Sequence, residues 1–217
     1  MIEHVTIGHR DNENGSKLFE IVMPRFGLGV WQMDNETCKS SVLHALNQGY
    51  RLIDTATAYG NEEAVGEAIR ESNIPREDIF VVTKLRRVHA TGYDETLQRC
   101  RESLVSLGLE YIDLYLVHAP PENISAREDV WRAMEDCMKI GLTRSIGVSN
   151  YGKSHLQAMR DYATILPSVC SFLINSNLSS GKQLALKLLK CNSSATAFAV
   201  FSLSPVSIIT LTPCRFN

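Results

Sequence analysis

From residue 26 onward, short β-branched or apolar runs alternate with stretches whose apolar residues recur at helical spacing. The runs at 26–31, 52–55, 79–84, 112–118 and 145–148 predict five strands. Between the first two, Cys38, Val42, Ala45 and Leu46 share one helix face, with Asp34 or Asn35 as N-cap and Gly49 as terminator. Ala64, Val65, Ala68 and Ile69 define an inward face over 61–71, and Leu97, Cys100 and Leu104 another over 93–106. Helices are also expected over 129–140, ended by Gly141, and over 154–162.

Strand cores such as Phe80-Val81-Val82 and Leu114-Tyr115-Leu116-Val117 carry no polar alternation. Strands of that kind are buried on both faces, as in parallel sheets built from βαβ units. A doubly wound sheet would carry a glycine-rich turn after its first strand and an acidic residue about 20 positions on. Gly27 and Gly29 lie inside the first strand instead, so the expected fold is α/β, a (β/α)8 barrel of the TIM type. Barrels place their chemistry at the C-terminal ends of the strands, where the loops to the helices begin.

Read in order, those ends carry Trp31, then Asp54 with Tyr59 just beyond, then Lys84, then His118, then Ser149-Asn150. Each alone has an ordinary explanation: a strand-end Asp caps helices, a loop Tyr packs, a Lys is solvated, a His is structural. Convergence on one barrel mouth is what makes the set informative. A phenol is a poor acid near neutral pH, with an ordinary pKa of about 10, and a neighbouring ammonium lowers that value. Lys84 can supply the ammonium and Asp54 can hold it charged and aimed. Tyr59 then donates a proton to an oxygen that becomes negative, while His118 polarises the same oxygen. Such a set suits reduction of a carbonyl. No side chain carries a hydride, so a nicotinamide cofactor is required.

Composition narrows the setting. At 217 residues, 44% apolar and 21% charged, the chain suits one large soluble domain. A net charge of −2 offers no basic field for nucleic acid or an anionic membrane. The charge is uneven, however: residues 1–161 sum to −6, whereas 162–217 have no acid and sum to +4 through Lys182, Lys187, Lys190 and Arg215. The six cysteines show no C-x-x-C pairing and no histidine at metal spacing, so no metal is expected. The first residues do not form a charged-then-apolar signal, and a cytoplasmic location is expected. Residues 191–214 lack charge, but their Ser and Thr content and Pro205 argue against a membrane span.

Four segments resemble the aldo-keto reductases. They are Met23-Pro24-Arg25-Phe26-Gly27-Leu28-Gly29-Val30-Trp31, Gly49-Tyr50-Arg51-Leu52-Ile53-Asp54-Thr55-Ala56, Tyr59-Gly60-Asn61-Glu62-Glu63 and Gly147-Val148-Ser149-Asn150. Asp113-Leu114-Tyr115-Leu116-Val117-His118 is similar to that family's fourth strand, and the likeness spans about residues 18–169. It implies an eight-fold barrel binding NADP(H) in an extended pose and reducing an aldehyde or ketone to an alcohol. Carried over by position, the resemblance implies that Tyr59 is the proton donor, Lys84 lowers its pKa, Asp54 supports Lys84 and lies near the nicotinamide ribose, and His118 meets the substrate carbonyl. Ser149 and Asn150 match the pair that binds the nicotinamide carboxamide, and Trp31 the aromatic wall of the substrate pocket. Ala119 departs from the family, which often has Trp after the histidine, so substrate preference does not transfer.

The resemblance fades where the composition changes. After Leu166-Pro167-Ser168-Val169 the family usually continues Asn-Gln, and here the chain reads Cys170-Ser171. No counterpart of the 2′-phosphate site follows, so NADPH is expected by family and NADH remains open. Lys182, Lys187 and Lys190 read as one face of a helix over 183–189, and 196–201 and 206–211 have strand propensity. The expectation is an incomplete barrel over 1–167, in which five or six βα units are recognisable, and a divergent tail over 168–217 from a truncated or alternative C-terminus. The competing reading is a non-catalytic family member that keeps the site residues without a complete cofactor pocket.

Overall fold

The computed structural model describes residues 4–10 and 17–171, together with the backbone of 184–185, 201–203 and 206–209. Its centre is a run of six parallel strands: β3 (Gly27–Gly29), β4 (Leu52–Asp54), β5 (Phe80–Leu85), β6 (Leu114–Val117), β7 (Ile146–Ser149) and β8 (Val169–Ser171). Helices α1 (Asn35–Asn47), α2 (Glu62–Glu71), α3 (Tyr93–Leu107), α4 (Ala126–Lys139) and α5 (Lys153–Met159) occupy the first five crossovers. This is the incomplete (β/α)8 arrangement that the periodicity predicts. The strands are shorter than expected, and Trp31 lies in the turn after β3, not within it.

Alternation along these strands sorts residues between two cores. Ile53, Val81, Tyr115, Val117, Ile146 and Val148 face the helices and join Val42, Val65, Leu104, Trp131 and Met134 in the larger core. Leu52, Phe80, Val82, Leu114, Leu116 and Val169 face the opposite side in a second core. Inter-strand register keeps the second set level: Leu52 pairs with Phe80, Val82 with Leu114, and Gly147 with Val169. Residues two positions beyond an inner-facing apolar residue therefore also face inward.

An antiparallel hairpin, β1 (His4–Arg10) with β2 (Lys17–Pro24), covers the N-terminal ends of these strands. Its fully buried Ile7 and Met23 join the inner core. His9 anchors the hairpin: Nδ1 donates to the Leu166 carbonyl at 3.0 Å, and Nε2 lies 2.9 Å from the Ser145 hydroxyl and accepts from the Ile146 N–H at 3.3 Å. A ring nitrogen aimed at a backbone N–H must be unprotonated, and burial pushes His9 down to about 4. The hairpin was not foreseen from the sequence.

Local chemistry explains the joints. Asp34 is the N-cap of α1, accepting from Thr37 N–H at 2.8 Å, and α4 is stapled to the approach to β8 by Trp131 and Glu135. The Glu135 carboxylate accepts from the Thr164 and Ile165 N–H groups at 2.8 Å each. Helices α2 and α3 meet at Gly66, where an added Cβ would lie 1.9 Å from the Leu107 carbonyl oxygen. Only a residue without a side chain permits that approach.

Beyond β8 the direction of pairing changes. Strand β10 (Phe201–Leu203) pairs antiparallel with both β9 (Leu184–Ala185) and β11 (Val206–Ile209), and β11 pairs antiparallel with β3. The sheet order is β8-β7-β6-β5-β4-β3-β11-β10-β9. This corrects the helix expected over 183–189 at Leu184 and Ala185, where extended pairing with β10 overrides helical spacing. The expected strand at 206–211 is present over 206–209, and Phe201 opens β10. Lys182, Lys187, Lys190 and residues 196–200 lie outside the described residues.

Candidate active site

Inner-face alternation delivers three of the expected side chains to one end of the sheet. Leu52 leads to Asp54, Val82 to Lys84 and Leu116 to His118, each two residues on. Tyr59 arrives by another route, as the last residue of a 3-10 turn, Thr57–Tyr59, directly after β4. The Thr57 hydroxyl pins that turn to β5 by donating to the Lys84 carbonyl at 3.1 Å. Gly60 follows in the left-handed region at φ 70°, reversing the chain into α2.

Lys84 is the hub. Its Nζ donates to Asp54 Oδ1, to the Thr55 carbonyl at 2.8 Å and to the Tyr59 hydroxyl oxygen at 3.4 Å. An ammonium has three protons, and three acceptors surround it. Lys84 and Asp54 are 3% and 2% exposed, so their attraction is little screened by solvent. Because the Tyr59 oxygen accepts from Lys84, its own proton is free to point elsewhere. The Tyr59 ring meets His118 edge-on, with centroids 5.7 Å apart.

The electrostatics refine the expectation for Tyr59. Burial pushes its phenol up, Lys84 pulls it down, and the Asp54 charge pushes it up again, leaving it above its ordinary value. The ammonium acts in the expected direction, but desolvation and the carboxylate behind it outweigh it. Tyr59 is therefore held protonated, as a proton donor must be. Burial works against the Lys84 charge, and the Asp54 carboxylate overrides burial to keep Lys84 protonated above its usual range. Burial, reinforced by the Lys84 charge, pushes His118 down to about 4, so its imidazole is neutral at pH 7.

Ser149 and Asn150 lie one strand from His118. Asn150 holds a positive φ of 59°, donates through Nδ2 to the His118 carbonyl at 2.8 Å and to Ser149 Oγ at 3.2 Å, and its backbone N–H reaches Ser171. Trp31 is 46% exposed at the end of β3, next to Val30, whose N–H donates to the Asp54 carbonyl at 3.1 Å. All seven expected residues thus stand at the C-terminal ends of neighbouring strands, with Asp54, Lys84, Tyr59 and His118 linked by direct bonding or ring contact.

Several polar partners escaped the sequence reading. Glu62, buried at the start of α2, accepts from the Thr83 hydroxyl at 2.6 Å, and Thr57 also meets Ser103 Oγ at 3.2 Å. Asn61 is 1% exposed and bonds to Thr55, Val30 and Met33. The available signal was a polar pair, Asn61-Glu62, opening a helix whose following inward positions are all apolar. Among the described residues, no cluster of three or more His, Cys, Asp or Glu could hold a metal ion, and no helix is long and apolar enough to cross a membrane.

A parallel βα sheet thus brings Asp54, Tyr59, Lys84 and His118 together at its C-terminal end. The Aldo/keto reductase family model matches residues 23–184, and the chain belongs to that family. Residues 170–184 extend the family match past the segment recognisable by motif. An aldo-keto reductase of Mycolicibacterium vanbaalenii is 46% identical over 147 residues, covering 68% of this chain and 52% of the relative. Methylglyoxal reductase DkgA of Salmonella typhimurium is 45% identical over 148 residues, covering 68% and 53%. The chain therefore spans about half the length of the curated relatives it matches. Among solved structures, an aldo/keto reductase from Brucella melitensis aligns with a TM-score of 0.71 at 38% identity, over 80% of this chain and 64% of that one. A Bombyx mori aldo-keto reductase in complex with NADP aligns at 0.68 and 32%, over 80% and 59%.

Proposed function

We propose that this chain reduces an aldehyde or ketone to an alcohol with NADPH as hydride donor, with Tyr59 as the proton donor. The observation that carries the reading is the contact between Lys84 and the Tyr59 hydroxyl oxygen, with Asp54 bound to the same ammonium. It leaves a neutral phenol with its proton directed away from Lys84. The Bombyx mori neighbour solved with NADP and the relatives named methylglyoxal reductase support a nicotinamide cofactor and a small carbonyl substrate.

The donor set fits a nicotinamide. Ser149 and Asn150 would hold the carboxamide and Asp54 would lie against the ribose, while the cofactor when bound supplies the hydride to the carbonyl carbon. The chain's own residues handle the oxygen. His118, neutral at pH 7, donates a hydrogen bond that polarises the carbonyl, and Tyr59 delivers its proton as negative charge develops there. Lys84 then faces the phenolate, stabilising it in the low-dielectric pocket that Asp54 shares. Trp31, half-exposed at the rim, forms an apolar wall for the substrate.

We read residues 1–167 as the reductase barrel portion, although the parallel strand β8 and the family match to residue 184 carry the likeness past that boundary. Residues 168–217 then form a divergent C-terminal part whose first residues still add the sixth parallel strand. A second reading, favoured by the antiparallel pairing of β11 with β3 where a (β/α)8 barrel pairs parallel strands, is a family member that keeps the site residues without a complete cofactor pocket. Carbonyl-dependent loss of NADPH absorbance separates the two. The enzyme reading expects turnover in the wild type and a loss of about 10²–10⁴-fold in Tyr59→Phe. Folded wild-type protein with no carbonyl-dependent NADPH loss would sink it.

A further inference from the structure

We infer that Asn61 is a positioning residue that locks the Trp31 turn to the Lys84–Asp54 pair and thereby sets selection between flat aromatic carbonyls and small aliphatic ones. The inference rests on the proposed reductase reading for the role of Trp31, and adds the device that holds it.

The Asn61 side chain bonds on three sides. Its Oδ1 accepts from the Thr55 hydroxyl at 2.8 Å, and its Nδ2 donates to the Val30 carbonyl at 2.9 Å and the Met33 carbonyl at 3.2 Å. Two carbonyls on one side and a hydroxyl on the other allow one amide orientation only. The two carbonyls bracket Trp31 and Gln32. Gln32 sits at a φ of 63°, a left-handed conformation that non-glycine residues adopt only when the surroundings enforce it. Met33 N–H closes the turn onto the Val30 carbonyl at 3.3 Å, so one buried amide grips both ends of a strained reversal whose outward residues are Trp31 and Gln32.

The other end of the same bridge reaches the catalytic cluster. Thr55 gives its hydroxyl to Asn61 and its carbonyl to Lys84 Nζ. A continuous path therefore runs from the Lys84 ammonium through Thr55 and Asn61 to the backbone on both sides of Trp31. Asn61 touches neither substrate nor reacting atoms in this arrangement. It fixes the distance between the proton-delivering group and the aromatic wall, and nothing in the Lys84–Asp54–Tyr59 contacts themselves depends on its amide protons.

The test uses the full chain with Asn61→Ala, Trp31→Ala, their combination, and the pair Thr55→Val and Thr55→Ser. Hydrogen exchange reads the backbone at 30–33, and steady-state kinetics compare benzaldehyde with methylglyoxal. The expected result is faster exchange confined to 30–33 in Asn61→Ala and Thr55→Val, with Thr55→Ser like the wild type. In Asn61→Ala the KM for benzaldehyde is expected to rise about tenfold, with kcat and methylglyoxal KM little changed. Adding Asn61→Ala to Trp31→Ala should raise the benzaldehyde KM no further, because both act on one wall. Unchanged exchange at 30–33, or equal effects on both aldehydes, would overturn the proposal while leaving the reductase reading standing. If Asn61→Ala does not fold, the Thr55→Val and Thr55→Ser pair decides: identical behaviour of the two overturns it. If the wild type turns over neither aldehyde, the reductase reading fails and the proposed selectivity with it; exchange at 30–33 then decides the positioning claim separately.

Discussion

Replacing Asp54 by alanine removes the carboxylate that the buried Lys84 ammonium faces. Both side chains are under 5% exposed, so the ammonium depends on protein partners and not on bulk water. The Thr55 carbonyl and the Tyr59 oxygen remain as dipolar acceptors and Glu62 as a carboxylate within electrostatic reach, but no opposite charge contacts the ammonium. Breaking a buried pair from one side costs about 3–5 kcal/mol, a large share of a typical domain's stability. The sign of the pH dependence adds a second handle. In the wild type Lys84 is raised above its ordinary 10.5, so its stabilisation is complete below that value and lost as pH rises through the folded value. In Asp54→Ala the folded Lys84 titrates below 10.5, the unfolded state binds more protons, and stability rises with pH up to that point. Urea denaturation of both proteins from pH 6 to pH 10 reads the difference. Asp54→Asn combined with Lys84→Met should recover most of the loss, because a neutral pair needs no compensation. A single variant as stable as wild type, or a double variant as unstable as the single one, would refute the ion-pair account.

Two further predictions concern the scaffold. His9 is neutral when folded, with its pKa at about 4 against an ordinary 6.5, so the unfolded chain binds the extra proton as pH falls. Stability should decline through that window by up to about 3 kcal/mol, and a variant with Gln at His9 should show a flatter acid limb in thermal melts; an identical limb would count against the His9 anchor. Gly66→Ala should destabilise by about 3 kcal/mol or more by denaturant titration, although alanine is the better helix former by about 1 kcal/mol, because the Cβ would collide with the Leu107 carbonyl. A stabilised Gly66→Ala protein would show that α2 and α3 do not pack this closely.

Much of the site was legible because strand periodicity and strand-end chemistry point the same way. Apolar runs located the strands, and an odd residue at each C-terminal end, Asp54, Lys84 and His118, stood out against them. The geometry adds the reason: each lies two residues beyond an inner-facing core residue, on the same side of the sheet. The N-terminal hairpin was invisible to that approach. Its strands bury only alternate positions such as Ile7, His9 and Met23, and His9 in the sequence looks like any solvated polar residue. Asn61 and Glu62 were missed because a polar pair at a helix start is an ordinary N-terminal pattern, and only tertiary contacts reveal that both are buried. The direction of the Tyr59 shift depended on desolvation, a quantity that spacing along a chain does not contain. The antiparallel strands β9–β11 depended on long-range pairing with β3, which local propensity does not specify.

Transfer of deuterium from NADPH labelled at the nicotinamide C4 hydride position to a carbonyl substrate tests the central claim most directly. With benzaldehyde or methylglyoxal, mass spectrometry should find one deuterium bound to the carbinol carbon for each cofactor oxidised. Tyr59→Phe should abolish the labelled product without unfolding the protein. Deuterium-free alcohol, or no alcohol from folded wild-type chain saturated with cofactor and carbonyl, would contradict the account.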